Sequence, residues 1–560
     1  MFRRSRRRFI KTVELEPDEI LLDVHNSPAF DRQQFEGRIE QAISKRSLAI
    51  LFGVMVFVAM CFPVRLGVLQ LARADYYEKK SEQNSLGHIP IFADRGIIYD
   101  RNGIELAWNT VGNDVAPTAR EYTKDGGFAT LVGYVSYPAK DKSGNLWQEK
   151  IIGKDGAEKE FDTALAGING TNLIETDVSG EVLSQSTIEV PIRGENINLS
   201  VDATIQKTFF EGIRALAEQS GYKGGAGAVM DIRTGELLAM TSYPEYNQSI
   251  LSAGKDVATI RSYITGDERP FLNRMTEGLY TPGSIVKPFL GLAALEEGII
   301  SPTKVIHTTG ELRIPNPYNP GQYSIFNDNA DHGDVDMRKA IAVSSNVYFY
   351  QIGGGFGDQK GLGIANIEKY AELFGIGEKT GINISGELAG TVPSVAWKAK
   401  NFKGDPWRLG DTYHTAIGQY GFQVTPIQML RAVAGIASRG RLVTPTILKN
   451  VTNVPVVSAK LPFTDTQYNV VHDAMRMTVT EGTAGALNNP NILVAAKTGT
   501  AQIKGNTRVN SWAIGFFPLD NPRFAFTVLM EDGPKVSSGA THAFKPVLQL
   551  FADRPELLTE

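Results

Sequence analysis

Three short motifs in this chain carry the residue types that acyl transfer through a serine requires. They are a serine with a lysine three positions on, a serine with an asparagine two positions on, and Lys-Thr-Gly. A serine hydroxyl is a weak nucleophile until a base takes its proton, and a lysine becomes such a base where its surroundings lower its pKa. Each motif alone is weak evidence. Ser-x-x-Lys occurs at Ser220, Ser252, Ser284 and Ser301, Lys-Thr-Gly at Lys379 and Lys497, and Ser-x-Asn at Ser143 and Ser344.

Context separates them. A spacing of three puts serine and lysine on one face only where a helix carries both. Thr281-Pro282-Gly283-Ser284-Ile285-Val286-Lys287-Pro288 leads into Phe289–Glu297, and Gly298 ends the run. Proline is tolerated only near a helix start. Ser284 is therefore expected at or beside a helix N-terminus, where the backbone dipole favours developing negative charge. Ser220 falls past a helix end, and Ser252 and Ser301 fall in loop-like stretches interrupted by Gly254 and Pro302. All three read as solvated surface pairs. Lys497 closes the apolar run Ile492–Ala496 and continues into Thr500-Ala501-Gln502, a strand in which Gly499 would admit a substrate backbone. Lys379-Thr380-Gly381 follows Phe374-Gly375-Ile376-Gly377 and reads as a loop. Ser344-Ser345-Asn346 lies between helical runs. The Ser344 hydroxyl could relay a proton and the Asn346 amide could hold substrate and Lys287; local helix capping is the plainer alternative for both. Ser143 lies upstream, in a different region.

The elements that must position these groups follow from periodicity. Thr204–Ala217 reads as a helix. Gly227–Ile232 and Glu236–Ser242 read as strands joined at Arg233-Thr234-Gly235, and residues 284 to about 440 as helices with long loops. Ile492–Gln502, Val509–Phe517 and Phe524–Glu531 are strand-like, with turn chemistry at Lys504-Gly505-Asn506 and Leu519-Asp520-Asn521-Pro522. Two strands early, three late and helices between predict an α+β domain over 204–560 with a five-stranded, largely antiparallel sheet. Residues 72–203 alternate in polarity and are rich in glycine turns, such as Asn102-Gly103 and Ile168-Asn169-Gly170, and predict a strand-rich module ending near Pro191-Ile192-Arg193-Gly194.

Ser47 to Val64 contains no charge, and Leu66–Leu71 follows Arg65. With Arg65 snorkelling, residues 47–71 are long enough for one transmembrane signal anchor. Residues 1–46 would form a cytoplasmic tail, because Arg3, Arg4, Arg6, Arg7 and Arg8 outweigh Arg73, Lys79 and Lys80 beyond the span. Phe35, Ile39, Ala42 and Ile43 fall at helical spacing just before it.

Composition narrows the classes further. The chain has 560 residues with 21% charged and a net charge of −4, which argues against a nucleic-acid-binding protein. Cys61 is the one cysteine, so a disulfide framework or thiolate cluster is excluded, and the 7 histidines show no ligand spacing. Gly-x-Ser-x-Gly, Walker A and His-Glu-x-x-His patterns are missing from the sequence.

From about residue 45 to the end the chain resembles a class B penicillin-binding protein. The resemblance rests on Arg95-Gly96-Ile97-Ile98-Tyr99-Asp100-Arg101-Asn102-Gly103, on Gly278-Leu279-Tyr280-Thr281-Pro282-Gly283-Ser284 and on Lys497-Thr498-Gly499-Thr500-Ala501-Gln502. His332-Gly333-Asp334-Val335 and Val347-Tyr348-Phe349-Tyr350 are more similar to the elongation-type penicillin-binding protein 2, with the division type as runner-up and a β-lactam sensor behind it. The resemblance implies a pedestal or dimerisation-like domain over 72–203 and a transpeptidase domain over 204–560. It implies a periplasmic D,D-transpeptidase of the cytoplasmic membrane that cross-links peptidoglycan stem peptides and is acylated by β-lactams. Its catalytic residues would be Ser284, Lys287, Ser344, Asn346 and Lys497. Backbone N–H groups of Ser284 and Thr500 would form the oxyanion hole, and Lys497, Thr498, Gly499 and Thr500 would bind the substrate and its terminal carboxylate. The partners implied are a SEDS-family membrane glycosyltransferase and other elongation proteins; about 130 residues between anchor and catalytic domain leave no room for a glycosyltransferase domain in this chain. Some elongation-type relatives bind zinc through a cysteine; with Cys61 in the anchor, neither that metal nor a cofactor is expected. Tyr420, in Gly418-Gln419-Tyr420-Gly421, stands where the resemblance implies glycine.

Overall fold

The computed structural model describes residues 44–74, 86–112, 118–140, 146–148, 150–176, 182–316, 318–319, 321–450, 454–503, 505, 507–535 and 539–558. The arginine cluster at 3–8, the helical pattern at 35–43, Lys79, Lys80, Ser143, Lys504 and Asn506 lie outside these residues. The chain divides into two compact units, Met1–Gly87 with Thr176–Glu181, and His88–Glu175 with Val182–Glu560.

The first unit contains helix α1, Lys45–Gly67, continued by one π-helical turn, Val68–Ala72. Ser44 caps it by accepting from the Ser47 N–H at 3.1 Å. Lys45–Leu71 spans 27 residues at a mean hydropathy of 2.5 and is long and apolar enough to cross a membrane.

In the second unit a four-stranded sheet runs in the order Ile197–Asn198, Ile98–Tyr99, Glu105–Val111, Thr118–Tyr122. A buried ion network braces it. Glu158 takes the Arg95 and Arg120 guanidinium groups at 2.6 and 2.7 Å, and Asp162 meets Arg95 at 2.7 Å. The Asp100-Arg101-Asn102-Gly103 turn is bonded to the start of the next helix. Asp100 Oδ2 accepts from the Ala203 N–H at 3.1 Å, and Asn102 Nδ2 donates to Asp202 at 2.8 Å.

That helix, α2 (Ala203–Ser220), is capped by Asp202 and ends at Gly221 in the left-handed region. Strands β1 (Gly224–Asp231) and β2 (Leu237–Tyr243) follow. Then come α3 (Lys287–Glu296), β3 (Glu311–Pro315), β4 (Tyr323–Asn327), α4 (Met337–Val343), α5 (Asn346–Gly354), α6 (Pro426–Ala437) and α7 (Asp465–Thr480). The chain closes with β5 (Ala495–Ile503), β6 (Arg508–Phe517), β7 (Phe524–Gly533) and α8 (Ala540–Asp553). The five-stranded sheet has the order β2-β1-β7-β6-β5, and its four ladders are all antiparallel. Alternate side chains serve two cores. Val229, Ala513 and Val528 pack with Phe209 of α2 and Phe544 of α8. Ala228, Ile514 and Leu529 belong to the core that includes Phe289 of α3, Leu430 of α6 and Val471 of α7. A sheet covered on both faces needs near-continuous apolar strands, which is the pattern at 509–517 and 524–530. The β3–β4 hairpin interrupts a stretch expected to be helices and loops. Its alternating Tyr323-Ser324-Ile325-Phe326 pairs with Glu311–Pro315.

Candidate active site

Ser284 lies on a 3₁₀ turn, Gly283–Val286, which passes directly into α3 with Pro288 in the first helical positions. Fixed groups hold that turn. The Gly283 N–H donates to the Gly418 carbonyl at 2.9 Å, the Trp512 indole donates to the Thr281 carbonyl at 3.0 Å, and Tyr280 and Val424 exchange backbone bonds. Gly418 must be glycine, because a Cβ there would stand 2.2 Å from the Gly283 oxygen. Strand β5, at the sheet edge, presses on the turn from the other side, where a Cβ on Gly499 would approach the Pro282 oxygen to 2.9 Å. The half-buried Ser284 opens into a cleft of about 1000 Å³ shared with Ser344, Asn346, Thr498, Gly499 and Thr500.

Two fully buried lysines lie beneath this wall. Lys287 Nζ lies 2.7 Å from the Ser344 carbonyl, 3.3 Å from Ser344 Oγ and 2.8 Å from Asn346 Oδ1. Lys497 Nζ donates to Ser344 Oγ at 2.9 Å and to the Thr498 carbonyl at 2.8 Å. Burial pushes Lys287 down to about 7, with Asp328 opposing the shift. Burial and the neighbouring Lys287 hold Lys497 well below the ordinary lysine range. Among the described residues, neither ammonium is paired with a carboxylate. A lysine surrounded by neutral acceptors can hold a free lone pair near neutral pH, and Ser344 Oγ lies within hydrogen-bond distance of both amines.

Ser344, Asn346 and Lys497 are thus brought to Lys287, and Thr498, Gly499 and Thr500 face the cleft with Ser284. Lys497, expected both among the catalytic residues and at the substrate's terminal carboxylate, turns its ammonium inward to Ser344 Oγ and the Thr498 carbonyl. Lys379 is exposed, and Thr380 and Gly381 lie in a loop, their amides donating to Glu387 at 2.6 and 3.1 Å, outside the cleft lining. Ser301 is exposed and Ser220 ends α2. Ser252 differs from the surface pair expected of it. It lies in the helix Gln248–Ala253, buried, and its Oγ accepts from the Val135 N–H at 3.3 Å.

Of two further residues at the site, Asp328 had no warning in the sequence, and Tyr420 stood out only as a departure from the resemblance. Asp328, directly after β4, accepts from the N–H groups of Asn346 and Val347 at 2.7 and 2.9 Å. Eighteen positions separate Asp328 from Asn346, so a local capping pattern could not have revealed it. Tyr420 takes the glycine conformation with φ 62° and lines the cleft. Its ring contacts those of Trp397, Phe402 and Trp407. Tyrosine thus occupies a left-handed position here, held by its ring contacts.

Comparison with known proteins adds the following. The penicillin binding protein transpeptidase domain family matches residues 225–549, and the penicillin-binding protein dimerisation domain family matches residues 113–199. The peptidoglycan D,D-transpeptidase MrdA of Acinetobacter baumannii is 27% identical, over 91% of this chain and 88% of that protein. The crystal structure of Pseudomonas aeruginosa penicillin-binding protein 2 in complex with WCK 5153 is 29% identical, with a TM-score of 0.68, over 83% of this chain and 96% of that one. Penicillin-binding protein 2 of Helicobacter pylori, in its complex with MreC, is 26% identical, with a TM-score of 0.68, over 84% of this chain and 99% of that one.

Proposed function

Since this chain belongs to the penicillin-binding protein transpeptidase family, as an elongation-type peptidoglycan D,D-transpeptidase similar to penicillin-binding protein 2, we propose that Ser284 carries the acyl group and that Lys287 is its base. The single observation that carries this reading is the uncharged-acceptor shell around Lys287, one helical turn along from Ser284.

Neutral Lys287 takes the Ser284 Oγ proton as Oγ attacks the carbonyl of the penultimate D-Ala of a stem peptide. The tetrahedral oxyanion accepts from the backbone N–H groups of Ser284 and Thr500, a contribution of roughly 3–4 kcal/mol per donor. The C–N bond breaks, and the leaving D-Ala amine receives a proton through Ser344 Oγ, which touches both lysines. An amine of a neighbouring strand then attacks the ester carbonyl and gives up a proton by the same route, and the C–O bond breaks to restore the Ser284 hydroxyl. Thr498 and Thr500, on the cleft wall, hold the terminal carboxylate beside Gly499. Lys497 supports the relay from below. Asn346 positions Lys287 and the stem peptide. β-Lactams acylate the same serine. No step calls for a metal or cofactor.

The domain reading places 47–71 as the anchor, 72–203 as the pedestal and 204–560 as the catalytic domain, with residues 1–46 cytoplasmic and the catalytic domain periplasmic, supported by the arginines at 3–8. The partners are MreC, seen with the Helicobacter pylori relative, and a SEDS-family membrane glycosyltransferase to polymerise the strands.

Labelling with a fluorescent penicillin tests the reading. The wild-type chain should take the label and Ser284→Ala should not; persisting label on the variant would sink the assignment. Depletion in cells should give rounding, as expected for an elongation enzyme, rather than filaments.

A further inference from the structure

Asp328 is a wholly buried acid that the acyl-transfer steps above do not use. Both its oxygens are fully engaged. Oδ1 accepts from the N–H groups of Asn346 at 2.7 Å and Asn329 at 2.8 Å, and Oδ2 accepts from the Val347 N–H at 2.9 Å and the Ser345 hydroxyl at 2.8 Å. Three of these four donors belong to the start of α5, where N–H groups lack helical partners. Helix initiation alone does not need the acid, because Ser345 is already the N-cap and accepts from the Tyr348 N–H at 3.3 Å.

What Asp328 adds is a tie between the β3–β4 hairpin and the segment that cradles the base. Ser344 sits between α4 and α5 with φ 64°, a conformation costly for a residue with a Cβ and kept only where its surroundings enforce it. Ser344 and Asn346 supply all three acceptors of Lys287. The side chain of Asn346 also donates to the Asn327 carbonyl at 3.4 Å, so the hairpin grips this residue twice.

We infer that Asp328 is a positioning residue for acyl transfer: its carboxylate locks Ser344 and Asn346 into the cradle that orients Lys287 and places a fixed negative charge behind it. This rests on Ser284 being the acyl carrier and Lys287 its base. The groups facing Asp328 from the surrounding elements are Lys287 of α3, Lys497 of β5 through Ser344, Tyr350 of α5, and His332, whose Nε2 is 3.9 Å away. The charge acts against burial and raises the pKa of Lys287. Without it, Lys287 would give up its proton at lower pH, but in a looser cradle.

The test is the rate of acylation by a fluorescent penicillin, measured on the full-length protein in detergent from about pH 5.5 to 9, with thermal melting of each variant. Asp328→Asn should lower the maximal rate about tenfold or more and move the acid limb down by roughly half a pH unit or more. Asp328→Glu keeps the charge but displaces it, and should lower the maximal rate with the acid limb little moved. A purely structural role would scale the profile without shifting it. An unmoved limb or a wild-type maximal rate in Asp328→Asn therefore overturns the inference. If Asp328→Asn does not fold, a wild-type rate in Asp328→Glu overturns it instead. Wild-type protein that takes no label, or label that survives Ser284→Ala, would overturn the acyl-serine reading itself and this inference with it.

Discussion

Lys287 and Lys398 are the same residue type with nearly the same burial, 0% and 2% exposed, and they answer burial in opposite ways. Lys398, in the helix Val395–Asn401, donates to Asp411 at 2.6 Å, Asp405 at 2.9 Å and the Pro406 carbonyl at 2.8 Å. Two carboxylates hold it cationic, and its pKa is raised. Lys287 has as many partners, but all are neutral, and its pKa falls to about 7. The charge of the acceptors, rather than burial or hydrogen-bond count, separates a structural ammonium from an amine free to take up a proton.

The same substitution at both positions should break the pair apart most widely. Lys287→Met should cut acylation of Ser284 by about 10²–10⁴-fold, the range of general-base catalysis. It should leave the melting temperature at neutral pH unchanged or raised. The sign follows from linkage: the folded pKa of about 7 lies below the reference value of 10.5, so the folded state binds fewer protons between these limits. Stability there rises with pH and is reduced toward neutrality, a cost that methionine removes. Lys398→Met leaves Asp405 and Asp411 without their shared cation, so it should lower the melting temperature, by about 2 °C or more. Its acylation rate should stay within about threefold of wild type. A fall in melting temperature for Lys287→Met, or a rise for Lys398→Met, would erase the distinction.

The second test makes Lys287 resemble Lys398. In wild type, acylation should fall about tenfold per pH unit below pH 7, as the amine takes up its proton. Asn346→Asp would put a carboxylate 2.8 Å from Nζ and move that limb to higher pH, with a loss of about tenfold at neutral pH. A rate–pH profile that superimposes on wild type would show that Lys287 is not the base.

How much of this was readable without coordinates depended on sequence separation. Ser284 and Lys287 were legible because three residues and a proline define a helix start, and β5 to β7 because apolar runs and turns are local signals. The β3–β4 hairpin falls in a stretch whose sequence predicts helices and loops, since its five-residue strands have weak periodicity. Asp328 was invisible for the same reason in sharper form, as its partners lie in another element. The inward turn of Lys497 could not be read either: a strand residue's face depends on what packs there, and here Ser344 arrives from the junction of α4 and α5 to meet it. Ser252 reads as solvated in sequence because the segment that covers it comes from over a hundred positions earlier, at Val135.

The smallest effect expected comes from Tyr420, where the two lysine environments meet the cleft. Its ring stands 5.8 Å from Lys398 Nζ and stacks with Phe402 at an interplanar angle of 8°. Two residues before it, the Gly418 carbonyl holds the Gly283 N–H beside the nucleophile. Tyr420→Gly would relieve the left-handed backbone and remove the aromatic packing, two effects of opposite sign and each of order 1 kcal/mol. The melting temperature should therefore move by only about 2 °C in either direction. Acylation should slow by about threefold, because the slackened loop no longer seats Gly283 firmly and orientation of the nucleophile is lost in part. Tyr420→Phe keeps the ring and should acylate at the wild-type rate. A Phe variant as slow as the Gly variant would mean that the phenol hydroxyl, not the packed ring, carries the link from the Lys398 cluster to the nucleophile turn.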